Sequence, residues 1–420
     1  MMIRRSIVPG VAAALVIGVV AAAAGGGAHT TLTSRGPDDV ALGSSTYWRS
    51  ISGDGKRAVF TSDDDALPGA DGTRDVFVRD LKTRKTTLVS RSTSGEPVNE
   101  STSDDPAISG NGRFVAFDTD ADNLPGGAGG TYVRDLRKKT TKLVSKTRQG
   151  EAADDSTGEV PTLSAGGRFV SFEVDDDDFP GADGTRDAYV RDRKRGTLEL
   201  VSRTSDGDPV DTDTGLTPTI SGNGRFVAFR SDSDLLPGDD ATGDVYVRDR
   251  KRKTTTLVSR TPAGDPASFS FSYAGCISFD GRFVAFESEA PGIGADPSGS
   301  VYVRDRKRGK TTLVSRQGGG DPAIGEDQSI SSNGRYVVYD GDDNDLAGAD
   351  GVYDVYRFDR KTKQTTLVSR ATNGDPGDDD SFYASISGSG AFVSFSSRAD
   401  NLSGQDDDAY SNTFVRGPLP

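Results

Sequence analysis

The strongest constraint on this chain is a repeat. The stretch Ile108-Ser-Gly-Asn-Gly-Arg-Phe-Val-Ala-Phe117 recurs, diverged, from Ile51, Leu163, Ile220, Ile277, Ile330 and Ile386. That makes seven copies, spaced 57, 55, 57, 57, 53 and 56 residues apart. A period this regular specifies a stacked or closed array of one supersecondary unit, because such a unit cannot bury its apolar face alone.

Each copy reads as four short strands. In the second, Pro106–Ser109 and Phe114–Phe117 flank Asn111-Gly112, a pair that predicts a type I′ hairpin turn with φ > 0 at both central residues. Thr131–Asp135 and Leu143–Lys146 supply the third and fourth strands. Four strands per unit are a propeller blade. The seventh copy ends one strand short at Thr413–Arg416, and Thr30–Arg35 matches the fourth strand Thr86–Arg91. The expectation is therefore an all-β, seven-bladed β-propeller of four-stranded blades whose last blade is closed by the N-terminal strand, which removes the open sheet edge. The blades fall at about 46–91, 105–147, 160–203, 217–260, 274–316, 327–370 and 383–416 plus 30–35, within one domain spanning 29–420.

Over residues 30–416 the units resemble the TolB-like, WD40-like (PD40) repeat family, whose blades carry a Ser-Pro-Asp-Gly-Arg turn before an apolar strand. Here the turn reads Ser109-Gly-Asn-Gly-Arg113, Ser221-Gly-Asn-Gly-Arg225 and Ser278-Phe-Asp-Gly-Arg282, without the family proline. TolB also has a separate α/β domain ahead of its propeller, for which this chain leaves no room, so its partners are not carried over.

Residues 1–28 read as a secretory signal peptide: Arg4 and Arg5, an apolar run from Ile7 to Ala24, then Gly26-Gly27-Ala28. The expected location is secreted or cell-envelope, with no membrane integration after cleavage; an uncleaved anchor is the alternative reading. The net charge is −14, which cleavage would carry to −16, and this argues against nucleic acid as a partner. Nine Glu stand against 55 Asp, a bias toward the residue that shapes tight turns.

The blade layout sorts these charges. The turns between strands three and four are basic (Lys82, Arg84, Lys85; Arg250–Lys253), whereas Asp63–Asp65, Asp175–Asp178, Asp342-Asp343 and Asp378–Asp380 fall on the opposite face. Such runs either steer a charged partner or merely keep the turns solvated.

Several chemistries lose their required group. The one histidine, His29, lies outside every repeat, and the one cysteine, Cys276, reads as a small buried hydrophobe. Ser-His-Asp hydrolysis, Cys-His catalysis and His-ligated zinc are thereby set aside. What survives is the loop between strands two and three, where Asp residues alternate around a Gly turn. Asp71 and Asp75, Asp183 and Asp187, Asp240 and Asp244, and Asp350 and Asp354 are candidate oxygen ligands for Ca²⁺, a hard cation that takes six to eight oxygens. Blades two and five depart from the pattern, and the competing reading is that Asp and Gly only shape the turn.

With no catalytic pair standing out, the reading is a secreted, monomeric, non-catalytic binding or scaffold module for a protein or cell-envelope ligand, Ca²⁺ being its one candidate cofactor. The alternative is a carboxylate-dependent hydrolase or lyase with its site in the central channel.

Overall fold

The computed structural model describes residues 28–36, 42, 45–102, 106–126, 129–153, 160–182, 184–209, 216–233, 235–236, 243–267, 272–290, 293, 299–316, 322–342, 346, 348, 351–404 and 410–420. Seven four-stranded antiparallel sheets form a ring, a seven-bladed β-propeller. The closing blade is built as expected. His29–Leu32 pairs with Asn412–Gly417, with Thr30 opposite Arg416 and Leu32 opposite Phe414, and Val393–Ser397 and Ser381–Ile386 complete the sheet.

Inside each blade an aromatic of strand two stacks on an aromatic of strand three. Phe60 on Phe77, Phe117 on Tyr132, Phe172 on Tyr189, Phe229 on Tyr246, Phe286 on Tyr302, Tyr339 on Tyr356 and Phe395 on Phe414 have ring centroids 5.7–6.2 Å apart. The alternation of the two strands puts these rings on one sheet face, where they fill the gap to the neighbouring blade.

The turn between strands one and two differs from the type I′ expectation. Gly112 is left-handed (φ 65°) but Asn111 is not, and the Gly112 N–H donates to the Ser109 carbonyl at 2.8 Å. This is a type I turn followed by a left-handed glycine. The Asn111 side chain holds it there: its Oδ1 accepts from Ser109 Oγ (2.8 Å) and from the Arg113 N–H (3.0 Å).

Those glycines join the blades. Phe114, Phe169, Phe226, Phe283, Tyr336 and Phe392, each opening strand two, lie on Gly167, Gly224, Gly281, Gly334, Gly390 and Gly55 of the next blade, too close for any Cβ. The turns also bond to one another. Asn111 N–H donates to the Ala165 carbonyl, Ala165 to Gly222, Asn223 to Phe279, Phe279 to Ser332, Ser332 to Gly388, and Gly388 to Gly53, each at 3.0 Å. The junction of blades one and two is different: Arg57 stands where the others have an aromatic, and its Nη1 donates to the Gly112 carbonyl at 2.6 Å.

Two left-handed glycines separate this packing from backbone strain. Gly224→Ala meets Phe169, whereas Gly264→Ala meets nothing within 4 Å. In urea unfolding Gly264→Ala should cost about 1–2 kcal/mol, the left-handed penalty alone. Gly224→Ala should cost about 2–5 kcal/mol because overpacking of the junction adds to it.

Candidate active site in the central channel

The first strands of all seven blades line a central cavity of about 660 Å³. Its wall is mostly small: Ser50, Ala107, Thr162, Thr219, Cys276, Ser329 and Ser385 each precede the leading residue of their copy. Several of these hydroxyls accept the N–H of the following blade's leading residue, Ile220 to Thr162 at 2.9 Å, Ile386 to Ser329 at 3.3 Å and Ile51 to Ser385 at 3.5 Å. Cys276 occupies one place in this belt, and burial pushes its thiol up from the ordinary value. It is therefore a poor thiolate at neutral pH.

The end of the channel on the side of the acidic loops is strained and charged. Val160, Thr217, Asp327 and Tyr383, each three residues before a leading position, adopt left-handed φ values of 63°, 40°, 45° and 56°. Bulky residues in that region cost free energy and concentrate at functional sites. In two blades the position after the strand-two aromatic secures this bulge. Glu173 Oε2 accepts the N–H groups of Leu216 (2.8 Å) and Thr217 (3.2 Å), and Asp340 Oδ2 accepts that of Tyr383 (3.0 Å).

Blade five has Glu287 at this position. Among the described residues its carboxylate makes no hydrogen bond, and Glu289, Glu326 and Asp327 line the same cavity. Burial first, and then the charges of Glu326, Asp327 and Glu289, push the Glu287 carboxyl up to about 8. Glu326 is also raised, by burial and by Asp342. Beside them Gln328 is buried against Gly275, where a Cβ would collide with its amide, and its Oε1 has no hydrogen-bond partner. Such a constellation holds a neutral carboxylic acid next to further carboxylates and an uncommitted amide, the components of general acid–base chemistry.

The calcium candidates sit elsewhere. Asp75, Asp187, Asp244 and Asp354 each open strand three, buried, and each accepts a hydrogen bond from the serine fifteen residues on. Ser90 donates to Asp75 at 2.5 Å while accepting the Val76 N–H at 3.0 Å, so the pair ties strand three to strand four. Burial, opposed by Ser90 and assisted by the Asp71 charge, pushes Asp75 up to about 7. Asp71 is exposed, and its Oδ1 accepts from both the N–H and the hydroxyl of Thr73. Asp183, Asp240 and Asp350 lie outside the described residues, as does nearly all of the predicted signal peptide. Among the described residues no group of three or more acidic, His or Cys side chains is placed to hold a metal ion.

No motif in the sequence singles out these glutamates. Their signal was rarity: three of the chain's nine Glu fall on adjoining blades at the channel mouth.

No family model matches the chain, and no curated protein matches it. Solved structures do. Oligogalacturonate lyase from Vibrio parahaemolyticus is 14% identical with a TM-score of 0.55, over 92% of this chain and 93% of that one. An oligogalacturonate lyase in complex with manganese is 13% identical with the same TM-score, over 90% of each chain. TolB from Acinetobacter baumannii, at 14% identity over 82% of this chain and 76% of that one, reaches a TM-score of 0.42, too low to argue from. These likenesses show the propeller fold. They also correct the expectation of a non-catalytic module, because two of the structures sharing this architecture along nearly their whole length are lyases.

The raised Glu287 has a signed consequence. Between its ordinary 4.5 and about 8 the folded state keeps a proton that the unfolded state has lost. Stability is therefore fully present below pH 4.5 and falls as pH rises through 8, by at most about 1.4 kcal/mol per unit. Urea unfolding of Glu287→Gln at pH 5 and pH 8 should lack this part of the slope, leaving the variant the more stable protein at pH 8.

Proposed function

We propose that the protein is a propeller enzyme whose carboxylate site lies at the acidic mouth of the central channel. It cleaves a neutral or cationic substrate by acid–base chemistry, with hydrolysis of a glycosidic bond as the reaction that suits paired carboxylates best. The observation that carries this reading is Glu287 in the channel wall, whose carboxylate makes no hydrogen bond among the described residues, where Glu173 and Asp340 of other blades are committed to backbone N–H groups. A carboxyl raised to about 8 remains protonated at neutral pH and can give its proton to a leaving oxygen. Glu326, one blade on, supplies the second carboxylate, which draws a proton from the attacking water. Gln328, buried against Gly275 beside them, helps to shape the wall of the site.

Beside the protonated Glu287, the carboxylates of Glu289, Glu326 and Asp327 at one mouth repel a polyuronate, so the substrates of the lyases with this fold are not carried over. Neutral and amino-sugar oligosaccharides are the class this field admits. New reducing ends from such oligosaccharides should fall about 10²–10⁴-fold in Glu287→Gln, the range expected of a positioned acid. The wild-type rate should also decline as pH passes about 8. Cleavage undiminished in Glu287→Gln would overturn the assignment.

Export to the cell envelope and Ca²⁺ in the loops between strands two and three are separate proposals, resting on the leader-like residues 1–28 and on Asp71 at the surface above Asp75. After EDTA treatment, millimolar calcium but not magnesium should raise the melting temperature, and Asp71→Asn should reduce that rise. An unmoved melt would leave these loops as turns.

A further inference from the structure

The seven junctions between blades are not equivalent, and the odd one is open. At four of them an arginine that follows strand three lies over the aromatic of the preceding blade. Arg193 sits over Phe114, Arg250 over Phe169, Arg306 over Phe226 and Arg360 over Phe283, with guanidinium carbons 4.2–4.9 Å from the ring centroids. Each also donates to the carbonyl of the left-handed turn glycine of its own blade, Arg193 to Gly167 and Arg250 to Gly224 at 2.5 Å. The ring and the guanidinium together plug the groove between the blades on the basic face. Tyr336 and Phe392 supply the ring at the next two junctions.

Between blades one and two both parts of the plug are replaced. Arg57 takes the place of the aromatic and Leu136 the place of the arginine. Lys56 also replaces the turn arginine that in blades two to six makes a two-pronged ion pair with the end of strand three, as Arg113 does to Asp135 at 2.6 and 2.8 Å. Asp80 is left with Arg57 Nε at 3.5 Å. A cavity of about 510 Å³ opens here. Arg57, Lys85, Arg91, Arg134 and Lys139 line it against the single carboxylate of Asp80.

We infer that this junction is an oxyanion-binding site, built for a small molecule that bears a phosphate or carboxylate group. The charge has the right sign, and guanidinium forks match the oxygens of such groups two at a time. The cavity is large enough to seat the rest of a small ligand beside its anionic group. The site is also rigid where it needs to be. Arg134 is buried, with its Nη1 held by the carbonyls of Arg91 and Ser92 at 3.1 Å and by Thr141 Oγ1 at 2.8 Å. Burial first, and then the neighbouring Arg91 charge, brings Arg134 down to about 10, a cost of holding a cation here that a bound anion offsets.

The rest of the ring supplies its own control. Arg57→Phe/Leu136→Arg copies the pair present at four other junctions, so it should fold, and it leaves the net charge unchanged. Isothermal titration of the full chain at low salt, with inorganic phosphate and separately with citrate, reads the site. Wild type should bind at least one of them, phosphate alone marking a phosphate ligand and citrate alone a carboxylate ligand, and the double variant should bind at least tenfold more weakly. Lys85→Glu, an exposed change, provides a second variant should the first fail to fold, with at least threefold weaker binding expected. Binding of neither probe by wild type, or equal binding by wild type and the variant measured, would overturn the inference.

Discussion

The ring depends on an aromatic side chain lying where a neighbour has no side chain at all. A blade alone is a small twisted sheet with one apolar face, below the size at which a core sustains itself. The contact that makes it part of a larger core is the ring of Phe169 on Gly224 and its counterparts, reinforced by the turn-to-turn hydrogen bonds. Both features meet at one turn, whose left-handed glycine offers a bare Cα to the ring and whose preceding residues donate to the next turn. One residue type at one turn position thus sets the spacing of the blades, and with it the bore of the channel.

A repeat of this kind uses up its polar groups in a fixed pattern, so function arises where the pattern loses a partner. In two blades the carboxylate after the strand-two aromatic, Glu173 or Asp340, steadies the strained bulge of the next inner strand. In blade five it has no such bond and becomes an acid facing a cavity. On the opposite face arginines cap aromatic rings at four junctions; at the first junction the ring is gone and basic side chains line a cavity instead. The two sites lie on opposite faces with opposite charge, and each is a place where one copy departs from its neighbours.

The fold could be read from the sequence because period, turn residues and strand alternation all point to one architecture, down to the pairing of Thr30–Arg35 with the last blade. The site could not. Acidic residues are so common here that their density carries no positional information, and four of the candidate calcium ligands turned out to be buried and bonded to serines. That Asp–Ser pairing recurs at a constant fifteen residues and was present in the sequence as a spacing. Glu287 could be singled out only through what surrounds it, namely the absence of a donor and the approach of Glu326 from the next blade. Neither fact is local in the chain. The turn type failed for a local reason, since the Asn111 side chain holds its own backbone short of the left-handed region.

The pairing of His29–Leu32 with Asn412–Gly417 joins the two ends of the described chain in one sheet. Ribosomal synthesis delivers the first of these segments long before the second. Six blades can form in order of appearance, each laying its aromatics on the next, while the opening strand waits without a partner through several hundred residues of growth. Closure joins the pairing of greatest sequence separation among the described strands, and so carries the largest loop-closure cost in the ring. A chain that stops early keeps an open first strand and an unfinished last blade, exposing the very edge that quality-control proteases and chaperones recognise. The ring in this way reports on its own completeness.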